Sequence, residues 1–310
     1  MWNPNSASGK ELPDRLSSID PRRRRSEFKD GVASHPFFVD NRSSMSTTDS
    51  ERFRSEAHKY AAYLVTPEGR LRSDLAFANL EEFLPRAPVN RPLRALDAGG
   101  GTGAAAVRLA RLGIQVTLVD SSEAMLEIAQ RAALDTGISD KVALQHGDAS
   151  HLAKLFPTSS FDLIVCHNLL EYVDDPVTVL CGAAGALRDS AAILSILVRN
   201  RAGEVFKAAI QAGDLTAAEH NLTAEWGQES LYGGRVRLFT SDSLRSMLKG
   251  ASLATIAERG VRVLADYLPP QISRAAEYGR IFELEHKLGS RPEFAAIARY
   301  THCFAHRPPC

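Results

Sequence analysis

The sequence predicts an α/β fold built on a doubly wound, mostly parallel sheet, and three observations support this prediction. Short apolar runs alternate with helix-prone segments from residue 93 to residue 198, a pattern typical of parallel sheets with helices on both faces. A glycine-rich turn, Gly99 to Gly103, joins the first of these strands to the first helix. Acidic residues follow several strands, at the sheet edge where doubly wound folds bind their ligands.

Within that region we expect five strands, at 93–98, 115–119, 142–146, 161–166 and 192–198. The helices between them are predicted at 103–112, 122–136, near 150–155 and at 176–188. Ser122 is the expected N-cap of the second of these helices. Each crossover then returns the chain to the same edge of the sheet.

The segments on either side are less regular. A helical pattern runs from about Ser50 to Leu64, a break follows at 66–69, and a second helix is predicted at 70–83. After Val198 we expect a helix at 204–212, a polar and poorly periodic stretch to about residue 237, and then two helices and two strands. These later elements are a capped helix at 240–249, a strand at 255–263, a helix at 272–289 and an antiparallel last strand at 300–306.

The predicted domain organisation is one domain with an extension. Residues 1–49 are poor in apolar side chains, which indicates a disordered N-terminal extension. An upstream start with Met45 as the true beginning, a basic arm around Arg22–Arg25 and a transit peptide are the alternatives. Residues 50–310 form the predicted domain, with a helical lid at 50–90 and a substrate-recognition insertion at 200–238.

Composition limits the function classes. Lys and Arg together number 37, as do Asp and Glu, so an overall basic footprint for nucleic acid is missing. The four cysteines show no metal-ligand spacing, and we expect neither a metal site nor a disulfide framework. No apolar run reaches the roughly 18 residues that a membrane helix needs. We therefore expect a soluble, cytoplasmic protein without a membrane partner.

The glycine turn admits two interpretations. Gly99-x-Gly101-x-x-Ala104 fits the dinucleotide fingerprint, in which a helix N-terminus holds a pyrophosphate. Asp97-x-Gly99-x-Gly101-x-Gly103 instead resembles the first motif of class I S-adenosylmethionine-dependent methyltransferases. An acid at the end of the strand suits a cationic amino-acid ligand better than a pyrophosphate.

The downstream motifs favour methyl transfer over hydride transfer. Asp120 ends the next strand, where both families place a carboxylate for ribose hydroxyls. The Gly147-Asp148-Ala149 step and the strand that runs into His167 resemble the third and fourth methyltransferase motifs. Four motifs occur in the usual order, and this order identifies the chain as resembling a Rossmann-like class I methyltransferase.

A narrower resemblance is to the family of bacterial tRNA 5-carboxymethoxyuridine methyltransferases, which methylate the carboxylate of a wobble uridine. It covers about residues 50–306, and the stretches that carry it are Thr66–Arg72, Leu96–Gly101, Asp162–Glu171, Asn200, Gly260–Leu268, Leu284-Glu285 and Arg299–His302. The resemblance implies S-adenosyl-L-methionine as cofactor and tRNA as a partner.

The same resemblance implies a set of cofactor-binding residues. Arg72 is expected to pair with the methionine carboxylate, Asp97 with its ammonium group, and Asp120 with the ribose hydroxyls. The full implied set is Arg72, Asp97, Gly99, Gly101, Asp120, Ser121, Met125, Asp148, Ala149 and His167.

The acceptor side depends on the nucleophile. A carboxylate is ionised at pH 7 and needs no general base. A site for such an acceptor would therefore need cationic side chains to position it. The candidates are Arg199, Arg201, Arg235, Arg237 and Arg262, with Arg201 and His167 as candidate catalytic residues. A hydroxyl or amine acceptor would instead favour a base, and His167 is the first choice.

Two other functions stay open on the sequence. An O- or N-methyltransferase of a small metabolite is favoured by the neutral charge and by an insertion that holds only Arg235-Val-Arg237 in place of a lysine-rich loop. A non-catalytic S-adenosylmethionine-binding protein would need a blocked substrate cleft.

Overall fold

A seven-stranded sheet forms the centre of the computed structural model, which describes residues 57–229 and 233–309. The strands are β1 (Arg94–Ala98), β2 (Gln115–Asp120), β3 (Val142–His146), β4 (Leu163–His167), β5 (Ile193–Arg199), β8 (Ala254–Val261) and β9 (Tyr300–His306). Their order in the sheet is β3-β2-β1-β4-β5-β9-β8. The first five pair in parallel, whereas β9 runs antiparallel to both of its neighbours, β5 and β8.

Both faces of the sheet are covered because successive side chains of a strand point to opposite sides. In β4, Ile164 and Cys166 pack into one core cluster, while Leu163 and Val165 pack into the other. These are near-continuous apolar runs, which a parallel strand needs when it is buried on both faces. Polar side chains that could form a site are therefore expected just beyond the ends of these apolar strands.

The described helices lie on both faces and over one edge of the sheet. The first two are α1 at 57–64 and α2 (Pro67–Glu81). The crossover helices are α3 (Ala104–Arg111), α4 (Glu123–Asp135), α5 (Leu152–Leu155) and α6 (Pro176–Ala186). The later ones are α7 (Arg201–Phe206), α8 (Leu215–Asn221), α9 (Ser241–Gly250), α10 (Tyr278–Gly289) and α11 (Pro292–Ala295).

The structure confirms the predicted fold, including the antiparallel last strand, and it corrects two helix starts. The predicted break between the first two helices is present but shorter than 66–69: Thr66 is the N-cap of α2, its hydroxyl oxygen accepts from Gly69 N, and Pro67 occupies the first turn. Proline is well placed there because its missing N–H would have no helical partner. The helix predicted at 272–289 begins only at Tyr278.

The insertion is more ordered than its poor periodicity suggested. A π-helical turn, Lys207–Gln211, continues α7, and α8 follows it. A two-stranded hairpin then pairs β6 (Trp226–Gln228) with β7 (Arg235–Arg237). The predicted extension, residues 1–49, lies outside the described residues. None of the described helices is both long and apolar enough to cross a membrane.

Candidate active site

A cleft of about 880 Å³ opens at the carboxyl ends of the central strands. Its floor comes from the segments that follow β1, β2, β4 and β5, and α1 and α2 contribute side chains from above. This is the position at which doubly wound sheets bind ligands. The helices predicted as a lid therefore border the same cleft as the glycine turn.

The glycine turn leaves room for a ligand against the backbone. Gly99 and Gly101 have φ of 65° and 52°, values that residues with a Cβ rarely adopt. A Cβ on Gly99 would lie 2.6 Å from Leu169 Cδ1. A Cβ on Gly101 would have no atom nearer than 3.9 Å and would project into the cleft. A side chain here would thus take the space of the ligand.

Asp97 is a buried carboxylate without a full set of partners. Its side chain lies at the end of β1, and Oδ2 has no hydrogen-bond partner among the described residues. Burial and, second, the nearby Asp120 carboxylate raise the pKa of Asp97 to about 7. A cation bound beside Oδ2 would remove both penalties, so the site fits an ammonium group.

Asp120 lies next to the turn at the end of β2. Its Oδ2 accepts from Gly101 N at 2.8 Å, and its Oδ1 accepts from Ser122 N at 2.9 Å. Burial raises the pKa of Asp120, although these backbone donors act against the shift. The other predicted cofactor residues border the same part of the cleft: Ser121, Met125, Asp148 and Ala149.

Arg72 enters the cleft from α2 and is surrounded by aromatic rings. Its guanidinium carbon lies 5.7 Å from the ring centre of Tyr60, 5.0 Å from that of Tyr63 and 5.7 Å from that of Tyr300. One guanidinium N–H donates to Tyr60 Oη at 2.9 Å. No described carboxylate forms an ion pair with Arg72, although its side chain is buried. An anionic ligand group would supply the missing charge.

Three further arginines form an ion-pair network below Arg72. Arg199 pairs with Glu204 at 3.1 Å and with Glu229. Arg299 joins Glu204 at 3.1 Å to Asp266 at 3.0 Å. Arg262 also pairs with Asp266. All six side chains are buried, and we call them the arginine network: Arg199, Glu204, Glu229, Arg262, Asp266 and Arg299.

Tyr300 lies among these charges at the start of β9. Burial by itself would raise the pKa of its phenol. The surrounding guanidinium groups, Arg199 first and then Arg72, outweigh burial and lower the pKa to about 8. The arginines therefore favour the phenolate form of Tyr300 more than burial disfavours it.

The loop after β8 presents Arg262 in a conformation that its side chain does not favour. Arg262 has φ of 60°, which is left-handed and costly for a residue with a Cβ. Glu285 of α10 stabilises this loop because its carboxylate accepts from Val263 N at 2.6 Å, Leu264 N at 3.0 Å and Ala265 N at 2.6 Å. Glu285 thereby positions Arg262 although it does not itself border the cleft.

His167 is the last residue of β4 and borders the cleft. Its Nε2 lies 2.8 Å from Ser195 Oγ. Burial and, second, the charge of Arg72 lower the pKa of His167 to about 3. The imidazole is therefore neutral at pH 7 but too weak a base to remove a proton from a hydroxyl efficiently.

The structure brings twelve of the sequence-predicted site residues to one cleft. They are Arg72, Asp97, Gly99, Gly101, Asp120, Ser121, Met125, Asp148, Ala149, His167, Arg199 and Arg262. It does not place Arg201, Arg235 or Arg237 on the cleft lining. Arg201 is the first residue of α7, and the other two lie on the β6–β7 hairpin. The prediction of a direct contact between these three and a ligand inside the cleft is not supported by this geometry.

Several residues of the site were not predicted. Arg299 and Tyr300 were noted only as part of a family block, and Tyr60, Tyr63, Glu204, Glu229 and Asp266 were not singled out. A buried arginine needs an acidic partner, so Glu204, Glu229 and Asp266 could have been predicted only if the buried arginines were already known. The sequence does not show which arginines are buried. Within the described residues, no group of three or more His, Cys, Asp or Glu side chains could hold a metal ion.

Comparisons with known proteins agree with this geometry. Residues 96–194 match the family model described as a methyltransferase domain. The tRNA 5-carboxymethoxyuridine methyltransferase of Escherichia coli (strain K12) is 30% identical over 252 residues, which cover 78% of this chain and 90% of the relative. A ubiquinone biosynthesis O-methyltransferase of Xanthomonas euvesicatoria pv. vesicatoria is 32% identical over 125 residues, 40% of this chain and 50% of the relative.

Two solved structures share the fold. A methyltransferase from Thermotoga maritima superposes with a TM-score of 0.55 at 17% identity, covering 83% of this chain and 99% of that one. The magnesium protoporphyrin IX methyltransferase from Synechocystis PCC 6803, solved with bound S-adenosylhomocysteine, superposes with a TM-score of 0.55 at 15% identity. The match covers 85% of this chain and 100% of that one.

The fold and the cleft define an S-adenosylmethionine-dependent methyltransferase of class I. The cofactor is S-adenosylmethionine. Within that class, the chain belongs to the family of the tRNA 5-carboxymethoxyuridine methyltransferase of Escherichia coli.

Replacing Asp120 should weaken cofactor binding. We expect Asp120→Ala to reduce the affinity for S-adenosylhomocysteine by roughly 1–3 kcal/mol, the value of lost charge-assisted hydrogen bonds. Isothermal titration calorimetry with the purified protein measures this change. NAD should not bind, and tight NAD binding that is unaffected by Asp120→Ala would contradict the assigned role.

Proposed function

We propose that this methyltransferase esterifies a carboxylate, and that the acceptor is tRNA that carries 5-carboxymethoxyuridine. The observation that carries the proposal is the positive half of the cleft. Arg72, Arg199, Arg262 and Arg299 all border it, and Arg72 lacks an ion-pair partner among the described carboxylates. The other three arginines are paired with the carboxylates of the arginine network, so this half owes its net positive charge to Arg72, and the remaining guanidinium N–H groups can donate to an anionic acceptor.

We infer that the cofactor and the acceptor occupy different halves of the cleft. Asp97, Asp120 and the glycine turn would hold the ammonium group and ribose of the cofactor, and Arg72 its carboxylate. When bound, the cofactor supplies a methyl group on a positively charged sulfur. The arginine network would then orient the acceptor carboxylate through unused guanidinium N–H groups.

The residues have little proton chemistry to perform. A carboxylate is ionised at pH 7, so no proton must be removed. Alignment of the two reactants then supplies most of the acceleration. Tyr60 and Tyr63 border the cleft on the side of α1, where they would exclude water from it. The low pKa of His167 is consistent with this mechanism because nothing in it requires a base.

A small-metabolite acceptor is the second candidate. The equal numbers of basic and acidic residues, 37 each, favour it over a nucleic acid. It would have to carry an acid group to suit the positive half of the cleft. A hydroxyl acceptor suits the site less well, since burial keeps the pKa of His167 at about 3.

A labelled methyl group tests the proposal directly. The enzyme is incubated with methyl-labelled cofactor and with tRNA that carries either 5-carboxymethoxyuridine or unmodified uridine. We expect label only in the acid-bearing tRNA, and mild alkali should release it as methanol, as it does from an ester. Alkali-resistant label would indicate N- or ether O-methylation instead, and absence of label would favour the small acceptor. An enzyme that acts on tRNA would work in the cytoplasm.

The hairpin provides a basic surface beside the cleft. Arg235 and Arg237 place their guanidinium carbons 4.7 Å and 4.5 Å from the ring centre of Trp226. Arg237 also donates to the backbone oxygen of Asp174, which borders the cleft. We propose that these residues contact the tRNA backbone outside the cleft.

The salt dependence of turnover checks the role of the hairpin. Phosphate contacts release counterions, so activity on tRNA should fall steeply as salt rises. Arg235→Ala combined with Arg237→Ala should flatten that slope by about two phosphate contacts and leave cofactor affinity unchanged. Arg111→Ala with Arg131→Ala, two exposed arginines on α3 and α4, is the matched control. Salt-insensitive turnover of the wild type on tRNA would contradict the phosphate contacts.

A further inference from the structure

A row of four polar side chains crosses the interior of the sheet. Arg259 lies on β8, His302 on β9, Ser195 on β5 and His167 at the end of β4, and these strands are consecutive neighbours. Arg259 faces His302 directly in the strand register. Ser195 lies two residues from the positions opposite His302 and His167, so all four project from the same face.

The hydroxyl proton of Ser195 links the two histidine rings of this row. Ser195 Oγ lies 2.8 Å from His167 Nε2 and 2.8 Å from His302 Nε2. A hydroxyl has one proton, so it can donate to only one of the two rings and must accept from the other. Burial lowers the pKa of both imidazoles below 6.5, and both are neutral at pH 7. The tautomer of one ring therefore fixes the tautomer of the other.

Arg259 indicates to which of the two histidine rings Ser195 donates its proton. His302 Nδ1 and Arg259 Nε are both buried without a hydrogen-bond partner among the described residues, and they belong to residues that face each other across two strands. Arg259 Nε can only donate. The charge of Arg259 lowers the pKa of His302, so the guanidinium is close enough to act on the ring, and a proton on Nδ1 would be a second buried donor without an acceptor beside that charge. If Nδ1 carries a lone pair, it receives the favourable field of the guanidinium.

We propose that this row holds His167 as the neutral tautomer protonated on Nδ1, so that it offers an N–H donor to an oxygen atom of the ligand in the cleft. His302 Nε2–H donates to Ser195 Oγ, and the Ser195 hydroxyl donates to His167 Nε2. No described residue accepts from His167 Nδ1, and His167 borders the cleft. Arg259, His302 and Ser195 are thus positioning residues for a site that they do not touch.

The consequence for the reaction rests on the proposed function. A neutral donor at this place binds a carboxylate oxygen of the acceptor, and its lone pair is engaged by Ser195 and unavailable to a proton. His167 then orients the acceptor and does not act as a general base. The site would favour an acceptor oxygen over an ammonium group, which can only donate.

Nuclear magnetic resonance of protein labelled with ¹⁵N at histidine reads the tautomers without any acceptor. In long-range ¹H–¹⁵N spectra of the wild type, we expect His167 to be protonated on Nδ1 and His302 on Nε2. Ser195→Ala should release the link and give His167 a mixture of tautomers, and Ser195→Thr, which keeps the hydroxyl, should restore the single form. Arg259→Met should shift both rings toward the opposite tautomers.

Glu82→Gln is the control for Arg259→Met. It removes the ion pair of Arg259 with Glu82 but keeps Nε, and should leave both tautomers as in the wild type. With tRNA as acceptor, Ser195→Ala should raise KM about fivefold, the worth of one neutral hydrogen bond, with kcat and cofactor affinity nearly unchanged. A wild-type His167 protonated on Nε2 would overturn the inference. The expected tautomers in an enzyme inactive on tRNA would support the row and refute the acceptor.

Discussion

Replacing Arg72 by methionine should weaken the binding of S-adenosylhomocysteine by about a hundredfold while leaving that of 5′-methylthioadenosine nearly unchanged. The second compound lacks the amino-acid part and so has no carboxylate for Arg72 to bind. The guanidinium is buried among three tyrosine rings, and loss of one member of a buried charge pair typically costs 2–5 kcal/mol. Calorimetry with both compounds measures the difference.

Arg70→Met is the matched control because Arg70 lies on the same helix and is exposed, with an ion pair to Asp74 at 3.4 Å. Its affinity for either compound should equal that of the wild type. Should Arg72→Met spare S-adenosylhomocysteine and instead raise KM for the acceptor, Arg72 would serve the acceptor carboxylate. An equal loss of both compounds would show that Arg72 only supports the fold of the cleft.

Asp97→Asn should reduce cofactor affinity by a similar factor and remove its dependence on pH. The pKa of Asp97 without ligand is raised to about 7 by burial and by Asp120. Below that pH the carboxyl carries a proton, and binding of an ammonium group must first release it. Wild-type affinity should therefore rise from pH 6 to pH 8 and level off above, whereas the affinity of Asp97→Asn should stay flat.

The same substitution should stabilise the protein without ligand. A group whose pKa is higher in the folded state than in the unfolded state binds more protons when folded, so its contribution to stability falls as pH rises toward 7. Asp97→Asn removes this loss, and its melting temperature at pH 8 should exceed that of the wild type. Asp135→Asn, on an exposed part of α4, should change neither property. A pH-independent affinity in the wild type would contradict the raised pKa.

The cofactor half of the site was predictable from the sequence because its parts are local. Asp97, Gly99 and Gly101 lie within one turn, and Asp120 and Asp148 each follow a strand of the same sheet. Once the parallel sheet is inferred, the carboxyl ends of its strands must meet at one edge. A short motif and a strand order are then sufficient to gather these residues.

The arginine network was only partly predictable because its members come from distant segments. Arg199 and Arg262 were expected to bind an acceptor, but their pairing with Glu204, Glu229 and Asp266 depends on the insertion and on the loop after β8. Periodicity gives no information about such pairs. The same limit applies to Arg201, which the structure does not place on the cleft lining: Arg199 still belongs to the strand, while Arg201 already belongs to α7.

The position of β9 has a consequence for synthesis of the protein on the ribosome. This strand is made after every other described strand, yet it lies between β5 and β8 and pairs with both. The nascent chain can assemble β1 to β5, but it must keep β8 apart until β9 arrives. Arg299 and Tyr300 arrive with it, so the positive half of the cleft is completed last. On the proposed division of the cleft, the residues that would bind the cofactor are therefore all synthesised before the last residues that would bind the acceptor.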